Sequence, residues 1–284
     1  MDKFLAWWKT GLSPWVKFVY VVLLLNGLPA FLILLSMPDL TEQWFVWTVA
    51  PPASARLLGV MYGNALLLVG LGVLQPTWAR ARVTLVVITL FSVAATLVTL
   101  LNLGPFLKHP WFHLAYWLTM YCILFVAAPV VFVAQERGHG GRLPVEVPLP
   151  PLARALAAFG LAACGLTGLG LLANVSLVNP LWPWTLTPLV GGIVGVWFTT
   201  LAAGYAWTLW DGDWRRTRIM FQQAIPTGLG LALLPLLHAG DVRPGAGGLV
   251  ALYLALALLP AAGALVLLLT MRRAPLAEAG HAGP

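Results

Sequence analysis

The chain has 284 residues, of which 60% are hydrophobic and only 9% charged, with a mean hydropathy of +0.89 and a formal net charge of +7. A soluble domain carries about 25% charged residues, and an ordinary core does not absorb this much apolar side chain, so the composition excludes a soluble globular domain. The basic residues lie in small groups between apolar runs rather than in one stripe, which argues against a nucleic-acid partner.

A hydrocarbon core of about 30 Å needs about 20 apolar residues per helix, and eight segments meet that length. They are expected near 17–36, 56–74, 83–103, 113–134, 153–174, 189–210, 219–237 and 247–271. Nothing alternates apolar and polar residues as a β-barrel strand would. At the start, Lys3, Lys9 and Lys17 with Trp7, Trp8 and Trp15 suggest an interfacial helix leading into the first span. That span is longer than a signal-peptide core and no A-x-A-like site ends it, so it is expected to be retained.

Within the first span Asn26 precedes Pro29, where an amide can satisfy the backbone that proline breaks. Trp44 and Trp47 follow, then Pro51, with Arg56 opening the second span and Tyr62 and Asn64 inside it. Trp78-x-Arg80-x-Arg82 marks the turn to the third span, which ends at Asn102. Lys108, His109, Trp111 and His113 crowd the start of the fourth. The stretch 135–152, with Gly138, Gly140, Gly141 and prolines, reads as a linker.

After the fifth span come Trp182, Trp184 and Pro188, then Thr199, Thr200 and Tyr205 in the sixth. Trp214-x-Arg216-x-Arg218 leads to the seventh, with Gln222 and Gln223 near its start and His238, Asp241 and Arg243 beyond its end. Cys122 and Cys164 both fall in apolar segments and read as small buried hydrophobes, with no disulfide framework or CxxC pattern.

Thirteen of the 16 basic residues fall on one set of connections, and the other set holds only Arg56, Lys108 and Arg243. Positive charge marks the cytoplasmic side, which puts both termini in the cytoplasm. The bias toward Ala, Leu, Gly and Arg over Lys suggests GC-rich bacterial coding, hence the bacterial cytoplasmic membrane.

The chain also matches itself at an offset of 136 residues: Gly59-Val60 with Gly195-Val196, Trp78-x-Arg80-x-Arg82 with Trp214-x-Arg216-x-Arg218, and Gly104 with Gly240. At an offset of 137, Trp47-Thr48-x-x-Pro51 matches Trp184-Thr185-x-x-Pro188. The expected architecture is an all-α integral membrane protein with two tandem four-helix repeats in the same orientation. The repeats are 1–134 and 153–273, joined by the linker 135–152 and followed by a disordered tail, 274–284. Indole and arginine in the repeated motifs read as interfacial anchors. This pattern resembles that of uncharacterised bacterial multi-pass membrane proteins. The resemblance covers both halves, implies a helical membrane fold, and carries neither activity nor functional residues with it.

No Asp, Glu, Lys or Arg lies near the centre of an expected span, which argues against a proton-driven antiporter or pump. No GxxxxGK[ST] loop and no HExxH pattern is present. The reading that requires least is a non-enzymatic scaffold or accessory subunit, with the bilayer and other membrane subunits as partners and no cofactor. An alternative is a carrier for a small neutral or lipophilic molecule between the repeats, lined by Asn26, Tyr62, Asn64, Thr200 and Tyr205. A third is a membrane redox protein using an outer cleft formed by Arg56, Asn102, His113, His238, Asp241, Trp47 and Trp184. A haem there would hang on His113 and His238.

Overall fold

The computed structural model describes residues 12–139 and 141–273. Trp7 and Trp8 of the expected interfacial segment, and the tail 274–284, lie outside the described residues. The described chain is all-helical, and eight of its helices are long and apolar enough to cross a membrane. These are α1 (Pro14–Ser36), α2 (Pro52–Val73), α3 (Trp78–Leu101), α4 (Trp111–Gly138), α5 (Pro151–Ala173), α6 (Pro188–Asp211), α7 (Trp214–Leu237) and α8 (Gly247–Met271). The chain is therefore compatible with a multi-pass membrane protein.

Several helices run past the apolar segments that announce them, because backbone hydrogen bonding continues beyond the first charged residue. Thus α3 starts at Trp78 and takes in Arg80 and Arg82. Proline opens α1, α2, α5 and α6. It suits the first turn because the amide it lacks would have no intrahelical partner there. In the first half Pro52 takes this place and Pro51 is the residue just outside. Gly212 closes α6 in the left-handed conformation, with φ 70°, which glycine adopts at little cost.

Four helices form the interior. In their most apolar windows α2, α3, α6 and α7 bury 56%, 61%, 78% and 61% of residues, whereas α1, α4 and α5 bury 22% and α8 28%. The sequence supplies the reason. Lipid is as apolar as leucine, so helices associate where small residues let backbones approach or where polar groups pair. Buried polar residues are concentrated on the inner helices: Ser54 and Asn64 on α2, Ser92 and Thr96 on α3, Thr200 and Thr208 on α6, Gln223 and Thr227 on α7. Helix α2 packs on α1 and α7, α6 on α5 and α3, α3 on α4, and α7 on α8. Short connections alternate the helix directions, leaving an arginine-rich end face and an opposite face that carries His109, His113 and His238.

Candidate functional site

Inside the bundle, α1, α2, α3, α4 and α6 surround a cavity of about 60 Å³. Four of the five polar residues expected inside the membrane line it: Asn26, Tyr62, Asn64 and Thr200. The fifth, Tyr205, is buried elsewhere, against Gly160 of α5. Ser92, Phe91, Tyr121 and Trp197 complete much of the wall. A second cavity of about 80 Å³ lies beyond Tyr62 and Tyr121 and also touches Asn26. The two phenols hydrogen bond to each other at 2.8 Å. Each cavity by itself is about half, or less, of the size of an apolar cavity of about 150 Å³ that takes up benzene.

The polar groups there are neutral and mostly engaged. Thr200 donates to the Trp197 carbonyl at 2.9 Å and Ser92 to that of Thr89 at 3.0 Å. Asn26 accepts from the Tyr116 hydroxyl of α4, so its oxygen links helices. The sequence reading expects that amide to repair the backbone around Pro29. The Asn64 Oδ1 is buried without a hydrogen-bond partner. Such a chamber suits a small, largely apolar molecule carrying a hydroxyl or similar donor.

The residues expected around an outer cleft divide into three sets. Arg56, His238 and Asp241 come together where α2 begins and α7 ends. The Asp241 carboxylate accepts from the Ala53 amide at 2.9 Å and sits 3.5 Å from His238 Nδ1. Burial, and then the Arg56 charge, hold the His238 imidazole below its ordinary range against the opposing pull of Asp241 and Asp39. His113 belongs to a second cluster, beside Phe112 and His109. There His109 faces the Thr48 hydroxyl at 3.2 Å. Its imidazole is also held low, by burial and then by His113, with Glu42 opposing. Asn102 donates to the Val98 carbonyl one turn back in its own helix.

Trp47 and Trp184 correct the expectation of interfacial anchors or cleft walls, because both are fully buried. Trp47 packs on Phe45, Phe106 and Trp117. Trp184 packs on Trp182 and Tyr253, and its indole donates to Ser54 of α2 at 3.0 Å. An indole enclosed by rings contributes more by packing than it would at the headgroup level. Among the described residues no group of three or more His, Cys, Asp or Glu converges as a metal site.

Sequence reasoning misses the most strongly coupled polar cluster, which lies on the arginine-rich face. Arg82 and Arg216 are buried, and both grip Asp211, at 2.5 and 2.6 Å. Arg82 also bonds Glu136 at 3.1 Å and the Gly141 carbonyl at 2.8 Å, and lies over the rings of Trp207 and Trp210. The indole of Trp78 donates to Glu136 at 2.7 Å. Trp78, Arg82 and Arg216 of the motifs read as surface anchors thus serve as interior ties, whereas Arg218 is exposed.

The linker is tied in as well. Its Glu146 and Val147 amides donate to Asp213 at 2.7 and 3.0 Å. Burial pushes the Asp213 pKa up, but those amides, the Arg216 amide and the Arg216 charge outweigh it and hold the carboxyl below its ordinary range. The available signal is the scarcity of acids: Glu136, Glu146, Asp211 and Asp213 are four of only nine, and all lie beside the arginine groups.

No protein family, curated protein or solved structure matches the chain.

Proposed function

We propose that the chain is a bacterial cytoplasmic-membrane carrier or binding protein for a small, neutral, lipophilic molecule, held in the chamber divided by the Tyr62–Tyr121 pair. The observation that carries this reading is the cavity, lined by Asn26, Tyr62 and Asn64 from the first half and Trp197 and Thr200 from the second. A scaffold has no need of a chamber walled by residues of both halves. The carrier reading therefore takes precedence over the accessory-subunit reading.

The architecture proposed with it is a tandem pair of four-helix units in the same orientation, with the arginine-rich face and both termini in the cytoplasm. Helix pairing supports the duplication, since α1–α2 corresponds to α5–α6, α3–α4 to α7–α8, and α3–α6 to α7–α2. The aromatic clusters correspond too: Trp117, beside Trp47, and Tyr253, beside Trp184, stand 136 residues apart. The charge distribution supports the orientation.

The test is mild-detergent purification from native membranes, solvent extraction and mass spectrometry, comparing the native chain with Ala65→Phe, which fills the cavity wall. A stoichiometric neutral molecule in the native extract, depleted in the variant at unchanged thermal midpoint, is expected. A stoichiometric protein partner with no small molecule would return the chain to the accessory class. A Soret band that His113→Ala and His238→Ala abolish would move it to the redox class.

A further inference from the structure

A separate groove runs along the lipid-facing side of the bundle, with α2 as its floor and α1 and α7 as its walls. Its volume is about 360 Å³ and its lining is almost wholly apolar, including Phe31, Leu35, Val60, Leu67, Leu233 and Leu237. Leu233 and Leu237 are more than half exposed, so the groove opens toward lipid. Arg56 lies at one end. Among the described residues its guanidinium has no hydrogen-bond or ion-pair partner, and its Nε is buried. The nearby acid Asp241 is engaged by the Ala53 amide and by His238.

The length of the groove identifies its occupant. From Arg56 to Leu67 along α2, and from Leu237 back to Pro226 along α7, the lining covers roughly 16 Å at 1.5 Å per residue. That is about half of a 30 Å hydrocarbon core, the depth of one leaflet. An apolar channel one leaflet deep, with a guanidinium free of any ion-pair partner at its headgroup end, complements the shape and charge of an anionic phospholipid. We propose that it holds one acyl chain of an anionic phospholipid, with the phosphate on Arg56.

At the corresponding place in the other half the helices are in close contact. Pro52 and Pro188 open α2 and α6 at the 136-residue offset, which sets Arg56 against Gly192. A Cβ at Gly192 would lie 2.9 Å from Val98 of α3, so α3 docks closely on α6 there. The residue matching Val98 at that offset is Leu234 of α7, and it lines the open groove beside Arg56. The bulk and charge of Arg56 occupy the place where the second half has a close helix contact.

The experiment is native mass spectrometry of the full detergent-solubilised chain titrated with phosphatidylglycerol, and separately with phosphatidylcholine of the same acyl chains. One phosphatidylglycerol is expected to bind in preference to phosphatidylcholine. Its affinity should fall about tenfold or more in Arg56→Gln, as expected for losing a charged hydrogen bond. Leu233→Trp, which fills the groove and keeps the charge, should weaken it similarly, while the exposed-charge control Lys108→Gln should not. Equal affinity for the two lipids, retention by either groove variant, or loss in Lys108→Gln as large as in Arg56→Gln would overturn the proposal. Should Arg56→Gln fail to fold, Leu233→Trp decides alone. Ala65→Phe leaves this groove open and is expected to retain the lipid, which separates this site from the chamber.

Discussion

Asp211 is held by two guanidiniums, one from α3 and one from the start of α7. A buried ion pair need not stabilise a fold relative to apolar packing, but removing one member leaves an uncompensated charge in a low dielectric. Asp211→Asn is therefore expected to cost about 3–5 kcal/mol. The check is thermal unfolding in detergent, and an unchanged midpoint would show that the two arginines find other partners. Neither residue pattern nor hydropathy announces this tie, because Asp211 and Arg82 are 129 positions apart. The same holds for Trp184 and Ser54, which meet across 130 positions. What was legible at this scale was the residue type: Asn26, Tyr62, Asn64 and Thr200 stand out because polar groups inside an apolar run are few.

Helices α5 and α6 meet through glycine. A Cβ at Gly168 would fall 2.5 Å from the Thr199 amide nitrogen and 2.9 Å from the Gly195 carbonyl oxygen, both of them backbone atoms that cannot swing aside. In the first half, a Cβ at Gly59 would lie 2.8 Å from the Leu35 nitrogen on α1. Close approach of this kind replaces the hydrophobic driving force that lipid removes. Gly168→Leu is expected to cost about 1–3 kcal/mol through overpacking, or more if α5 detaches. Gly70→Ala is the control, because nothing lies within 4 Å of its added methyl and alanine favours the helix. Equal midpoints for the two variants would show that the α5–α6 contact carries no special weight. Gly59 and Gly195 stand out in the sequence only as part of the internal match, and Gly168, the opposite wall, has no counterpart at that offset.

At the scale of the whole molecule, two end faces of different character enclose a four-helix interior. The proposed orientation places the arginine-rich face in the cytoplasm. In a cysteine-free background, Leu107→Cys should react with a membrane-impermeant maleimide on intact spheroplasts. Glu146→Cys should react only after permeabilisation. Both side chains are exposed, so accessibility reports sidedness rather than burial. The reverse pattern would invert the molecule and remove the charge distribution as a guide to its direction.

Span number, span position and helical class follow from the sequence alone, because transfer of a helix into hydrocarbon is a sum over its own residues. Eight apolar runs near 20 residues long leave the backbone no other way to satisfy its hydrogen bonds in a bilayer. Which helices are inner, which arginines are buried, and where the packing leaves space were decided only in the tertiary structure. These depend on pairs: Gly168 with Gly195, Arg82 with Asp211, Tyr62 with Tyr121. Each partner's environment is set by a segment far away in the chain, and no local sum of hydropathy contains it. The chamber and the groove are the sharpest cases, since a cavity exists only where several helices fail to fill the same volume.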